Sequence, residues 1–207
     1  TANIRRFIDL VRNELDPGIY EYPDLHRFSL EHPRQFWRAV WDFCGVVGTP
    51  GYTVVEDFDR FPGARWFPDA TLNFAENLLR HRDEQAALLF RSETGLAGQY
   101  SYAELYAAVA KTAEALRGAG VQAGDRVAGF MPNLPETVIA MLAATSIGAT
   151  WSSCSPDFGI DGVVERFGQI RPKVLFCAAA YSYNGKTHDC IEKVKGIVDE
   201  IDSIEHT

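Results

Sequence analysis

Between residues 124 and 177, short apolar runs alternate with helical stretches, and this alternation limits the fold more than any other feature of the chain. Residues 126–131 read as a strand and residues 132–135 as a proline-punctuated turn. A helix is expected over about 136–147, a second strand over 149–153, a second helix over about 159–170 and a third strand over 173–177. Strands joined by helices run parallel. Short strands with no polar alternation imply a sheet covered on both faces. In such sheets ligands sit beyond the carboxyl ends of the strands. Chemistry owned by this chain is therefore expected at residues 153–159 and in the polar stretch 180–189, read as a loop.

Ile4, Phe7, Ile8, Val11 and Leu15 recur at helical spacing, so an amphipathic helix is expected over 2–15. Residues 20–31 look like a loop rich in Tyr, Pro and His. Pro33 opens a helix carrying Phe36, Trp37, Val40, Trp41 and Phe43, whose aromatic area suits a core. Close Gly and Pro spacing predicts little regular structure over 45–70, apart from a strand-like run at 52–55. Thr71 is expected to cap a helix with Leu72, Ala75, Leu78 and Leu79 inside, followed by a buried strand at 86–90 and a hairpin-like return through Gly95 and Gly98.

Ser101 and Glu104 form the S-x-x-E pattern of a capping box, ahead of a stripe at Leu105, Val109, Thr112, Ala113 and Leu116. Gly118, Gly120 and Ala123 match the letters of a dinucleotide fingerprint, but they follow a helix and precede a strand, the reverse of what that fingerprint requires. The last helix carries Ile191, Val194, Val198 and Ile201 inward and Glu192, Lys193, Lys195 and Glu200 outward. The final residues DEIDSIEHT continue its pattern without a stop, which suggests a piece of a longer chain. The expected class is α/β: a mainly parallel sheet flanked by helices over 86–207, after a helical and irregular wrapping segment over 1–85.

The 207-residue length allows a sizeable core. A net charge of −8 disfavours non-specific binding to nucleic acid or anionic membrane. Cys44, Cys154, Cys177 and Cys190 are scattered without a C-x-x-C pair, as expected of reduced cytoplasmic thiols. No apolar run approaches the roughly 20 residues needed to span a bilayer. Cys154 reads as a buried structural cysteine and not a nucleophile. His188, Asp189 and Cys190 are adjacent and cannot easily converge on one metal ion.

Four stretches together resemble the adenylate-forming acyl-CoA synthetases: RWFPDATLNFAENLL (65–79), YSYAEL (100–105), GDRVAGFMPNLPETVIAMLAATSIGA (124–149) and WSSCSPDFG (151–159). The last of these, followed by RFGQIRPKVLF, is similar to the acetoacetate-specific group within that family. The resemblance implies a large N-terminal domain of an adenylate-forming ligase, which joins acetoacetate to CoA through an acyl-adenylate with ATP and Mg2+. No Ser/Thr/Gly-rich loop of the form S-G-T-T-G-x-P-K occurs in this sequence. The resemblance therefore implies that the chain is inactive alone and works with the remainder of a longer one.

For the site, the resemblance implies that Ser155, Pro156 and Asp157 lie along the pantetheine arm of CoA. Tyr183, Asn184, Gly185 and Lys186 would meet its nucleotide end. The family carries an arginine at each end of that second loop. Lys186 keeps one positive charge, as a point charge without the guanidinium fork, whereas Tyr183 replaces the other with a ring able to stack on adenine. Ser-Pro-Asp also replaces a Phe-Gly-Gly segment and removes glycines that permit close backbone approach. Taken without the resemblance, the same stretch reads first as an ordinary surface loop. Another short-chain (acetyl or propionyl) synthetase and a non-catalytic CoA- or nucleotide-binding module remain the alternatives.

Overall fold

The computed structural model describes residues 2–207, which divide into two compact units between Leu72 and Asn73.

The first unit starts with three helices, α1 (Asn3–Glu14), α2 (Tyr22–Glu31) and α3 (Pro33–Phe43). Phe7, Ile8 and Val11 of α1 are buried against Leu25 and Phe28 of α2 and Ala39 of α3. Phe7 meets Phe36 edge-on at 5.7 Å and Phe43 at 5.0 Å, so these two rings of α3 pack on α1 half-buried, whereas Trp37 is exposed and the aromatic face is only partly core. Ile4 and Leu15 remain exposed, which makes the inner stripe of α1 narrower than expected.

Helix α2 corrects the loop expected over 20–31. The Asp24 carboxylate accepts the backbone N–H groups of Tyr20 and Glu21, both at 3.2 Å, and Pro23 sits in the first turn. Donors that a helix start leaves unsatisfied are thus met locally. The rest of the unit consists of two tiny antiparallel ribbons. β1 (Gly48–Thr49) pairs with β4 (Thr71–Leu72), and β2 (Val55–Glu56) pairs with β3 (Arg65–Trp66). The strand lies later than the expected 52–55, and Tyr52 is fully exposed.

The second unit opens with α4 (Phe74–Leu78). Its cap is Asn73 and not Thr71, which belongs to β4. Asn73 Oδ1 accepts from Glu76 N at 3.0 Å, while its Nδ2 donates to the carbonyls of Thr145 and Ser146. Ala75 and Leu79 are buried, but Leu72 and Leu78 are about half exposed and do not form the expected inner face. β5 (Ala86–Arg91) and β6 (Ala97–Ser101) make an antiparallel hairpin. The strand expected to be buried is a half-exposed ribbon, with Leu89 facing solvent.

Helix α5 (Tyr102–Gly118) begins with the reciprocal bonds of a capping box. Glu104 N donates to Ser101 Oγ at 3.2 Å and Ser101 N to the Glu104 carboxylate at 2.8 Å. Gly118 is its last residue, and residues 119–125 form the turn into the sheet, as a helix end and not a dinucleotide loop.

The central sheet has the order β8 (Thr150–Cys154), β7 (Arg126–Phe130), β9 (Val174–Cys177), with both pairings parallel. α6 (Pro135–Ser146) joins β7 to β8, and α7 (Ile160–Ile170) joins β8 to β9. Alternate residues of β7 enter different cores. Val127 packs with Leu105, Val109, Ala113 and Leu142 of α5 and α6. Ala128 and Phe130 pack with Val163 and Phe167 of α7 and Ile197 of the last helix, α8 (Ile191–Glu200).

Arg126, the first residue of β7, fastens the start of that strand to the end of α7 by donating to Ile170 O at 2.8 Å and Arg171 O at 3.0 Å. Two expectations change here. The polar stretch 180–189 is a hairpin, β10 (Ala180–Tyr183) with β11 (Lys186–Asp189), and α8 stops at Glu200. Beyond it, Leu175 N donates to His206 O at 2.9 Å, so the last residues run beside β9. The class is α/β as expected, although the parallel sheet holds three strands and the other described strands pair antiparallel.

At Gly129 the sheet leaves no room for a side chain. A Cβ there would lie 2.6 Å from the Trp151 ring, which crosses from the neighbouring strand. Gly129→Ala is expected to destabilise the protein by about 1–3 kcal/mol through overpacking. Trp151→Leu in the same chain should recover part of that loss, and urea unfolding of the single and double variants measures both.

Candidate functional site

The parallel strands all end at one edge of the sheet, and the chain beyond each of them lines one concavity of about 670 Å3. Pro132, Asn133 and Leu134 follow β7; Ser155, Pro156 and Asp157 follow β8; Ala180, Tyr181, Ser182 and Tyr183 follow β9 as strand β10. The sequence pointed to the second and third of these. In the structure β7 lies between β8 and β9, so the turn after β7 also lines the site. Another wall, Phe90 to Thr94 together with Leu96, comes from the end of β5 and the turn after it.

A second concavity, in the first unit, measures about 360 Å3 and is lined by Phe7, Leu25, Phe36, Trp37 and other residues without a Lys, Arg, Asp or Glu. The larger cavity mixes hydroxyl, amide, carboxylate, guanidinium and ring groups, the composition expected of a site that orients a polar ligand.

The Ser-Pro-Asp segment is held from below. Pro156 is fully buried, whereas Ser155 and Asp157 on either side of it are exposed. Lys193 of α8 donates to Pro156 O at 3.0 Å and Phe158 O at 3.4 Å. The Arg166 guanidinium lies over the Phe158 ring at 4.6 Å. Lys193 reads from the sequence as a solvated helix residue; only the packing of α8 beside α7 shows that it clamps this segment.

The β10–β11 hairpin turns at Asn184 and Gly185, with φ of 52° and 71°. Positive φ at both central residues is the type I′ geometry that Asn-Gly favours. Tyr183 pairs across the turn with Lys186. The Tyr181 and His188 rings stack across the ribbon at 5.0 Å. Desolvation pushes the Tyr181 phenol up, and the negative charge of Asp157 adds to the effect, so this group stays a neutral donor.

The structure therefore brings Ser155, Pro156, Asp157 and Tyr183 together on one cavity. Asn184 and Gly185 sit at the hairpin tip, and their N–H groups donate to the two carboxylate oxygens of Glu93, each at 3.0 Å. Lys186 is exposed on β11 and is not on the lining. Among the described residues, Arg91 is the one Lys or Arg that lines the cavity. Nothing in the sequence singled out Arg91, Glu93 or Asn133. The Asn-Gly pair was a readable signal of the hairpin that positions Tyr183.

Burial raises the Cys154, Cys177 and Cys190 thiols, which holds them in the protonated, weakly nucleophilic form. Among the described residues no group of three or more His, Cys, Asp or Glu is placed to hold a metal ion. No helix among them is long and apolar enough to cross a membrane. The exposed Cys44 should react first with iodoacetamide at pH 8, with buried Cys154 and Cys190 labelled only on unfolding. Peptide mass mapping over time checks this order.

Residues 74–207 match the family described as AMP-binding enzyme, and residues 22–78 match acetyl-coenzyme A synthetase N-terminus. The acetoacetyl-coenzyme A synthetase of Rhizobium meliloti is 47% identical over 92% of this chain and 29% of its own length. The acetoacetyl-CoA synthetase of Danio rerio is 42% identical over 93% of this chain and 29% of its own. A solved acetoacetyl-CoA synthetase from Streptomyces lividans superposes with a TM-score of 0.93 at 40% identity, over all of this chain and 33% of that one. The chain thus spans about 29% of the length of these curated relatives.

Proposed function

Because the chain belongs to the AMP-binding enzyme family, we propose that it is the N-terminal part of an ATP-dependent ligase that converts acetoacetate, ATP and CoA to acetoacetyl-CoA, AMP and pyrophosphate. The observation that carries this reading is the superposition of the whole chain, at 40% identity, on an acetoacetyl-CoA synthetase. In this reading the partners are small molecules and the remainder of the same chain, and the setting is the cytoplasm.

The cavity beyond the sheet takes the CoA side of the reaction. Ser155 and Asp157, held by buried Pro156 and by Lys193, form the wall along the pantetheine arm. Tyr183, two-thirds exposed at the end of β10, offers its ring to the adenine. Asn184 and Gly185 shape the turn, and their N–H groups are already engaged by Glu93, so they support the ring and do not bind a phosphate. Lys186 adds a positive charge one cross-strand pair from Tyr183. The described residues supply no acidic cluster fit to hold Mg2+ and no Ser/Thr/Gly-rich phosphate loop. No step of adenylation is therefore assigned to them; their share is to bind and orient the thiol substrate.

The test is ligation by the full-length protein with acetoacetate, acetate and propionate as competing acids. Acetoacetate is expected to give the highest kcat/KM, and residues 1–207 alone are expected to ligate none. Preference for acetate or propionate would move the assignment to another short-chain synthetase, and no ligation of any acid would overturn it. In the full-length protein Tyr183→Ala is expected to raise the KM for CoA about three- to tenfold, the size of one lost aromatic contact. Acetoacetate-dependent ATP–pyrophosphate exchange should stay unchanged.

A further inference from the structure

Glu93 lies in the turn between β5 and β6, and its carboxylate accepts two consecutive backbone N–H groups at the tip of a different hairpin, from Asn184 and Gly185, both at 3.0 Å. The turn that presents it is fixed by its own bonds. Ser92 N donates to Leu96 O at 2.8 Å, Leu96 N to Ser92 Oγ at 3.1 Å, and the Ser92 and Thr94 hydroxyls lie 2.7 Å apart. The acceptor is thus held in place before it meets its donors. The two N–H groups converge because both residues have positive φ, a backbone arrangement that makes a small anion-binding concavity.

The β10–β11 ribbon needs such a tie. It pairs with no third strand, and a lone two-stranded ribbon is marginally stable in water. Its base is fastened by Cys190 N donating to Ala179 O at 2.8 Å. Tyr181 packs against the core formed by Phe130, Val163 and Phe167. The tip is fastened by Glu93. Tyr183 immediately precedes the two N–H groups that Glu93 holds, and Glu93 itself lines the same cavity.

We propose that Glu93 is a positioning residue for the coenzyme: its carboxylate ties the β5–β6 turn to the β10–β11 tip and so fixes Tyr183 on the cavity wall. The proposal rests on the assignment of this cavity to CoA. A carboxylate already occupying these donors keeps a ligand phosphate off the tip, and the ligand meets the side-chain face of the ribbon instead. Charged acceptors suit the role, because bonds to an ionised oxygen are stronger than neutral ones.

The experiment compares Glu93→Ala, Glu93→Asp, Tyr183→Ala and the Glu93→Ala/Tyr183→Ala double variant in the full-length protein. Glu93→Ala is expected to raise the KM for CoA about tenfold while leaving acetoacetate-dependent ATP–pyrophosphate exchange unchanged, and Glu93→Asp should recover part of the loss. The double variant should cost less than the product of the two single effects, because both act through the same ring. Hydrogen exchange of a peptide covering residues 180–189 should quicken in Glu93→Ala.

A KM for CoA that is unchanged or lower in Glu93→Ala, with Tyr183→Ala still raising it, would overturn the positioning role and leave the coenzyme assignment standing. If neither variant moved the KM for CoA, the assignment of the cavity would fall and the positioning role with it. Loss of pyrophosphate exchange in parallel with the KM effect would reduce Glu93 to a general structural contact and overturn the proposal.

Discussion

The second unit is built on burial of β7 from both sides. Its alternate side chains enter two different cores, Val127 on the side of α5 and α6 and Ala128 and Phe130 on the side of α7 and α8. Neither face can turn to water without losing one of these cores, so the register against β8 and β9 is specified twice over. At Gly129 that packing leaves no volume for a side chain, because the Trp151 ring occupies it. With the strands locked in parallel, their carboxyl ends emerge together, and the polar cavity follows from this geometry.

The cavity is walled by elements of unequal rigidity. The turn after β7 continues from a buried strand and the turn after β8 from a half-buried one that ends in buried Cys154, and Pro156 and Lys193 extend that support to Ser155 and Asp157. The other two walls belong to the two-stranded ribbons β5–β6 and β10–β11, whose residues are mostly exposed. Ribbons of this kind gain little from burial and depend on ties. The Glu93 carboxylate provides one between them. In the proposed role of Glu93, affinity for a ligand here is linked to a contact that need not touch the ligand.

Wherever the signal was local, the sequence disclosed the fold. The S-x-x-E box at Ser101 and the apolar runs of β7, β8 and β9 depend on neighbouring residues alone, and they appear close to where they were expected. Helix α2 escaped notice because an Asp at the third helical position reaches the preceding backbone in place of the usual Glu or Gln, inside a segment whose composition suggests a loop. Asn184-Gly185 carries the local signal of a tight hairpin turn. The flanking tyrosines, threonine and histidine lack the apolar alternation that marks most hairpins, because this ribbon is solvated on much of its surface. Of the site residues, Ser155, Pro156, Asp157 and Tyr183 lie in segments that follow strands, which the sequence pattern marks, while the resemblance names the individual residues and the structure brings them to one cavity. Glu93 and Lys193 act through contacts with residues far away in sequence, which no local pattern records.

The central claim is that the cavity beyond β7, β8 and β9 is where the coenzyme lies. The most direct measurement is a crystal structure of the full-length protein bound to CoA. The account predicts a pantetheine arm running past Ser155 and Asp157, with the adenine against the Tyr183 ring and the Glu93 carboxylate still on the N–H groups of Asn184 and Gly185. CoA bound elsewhere, with this cavity left to solvent, would contradict it.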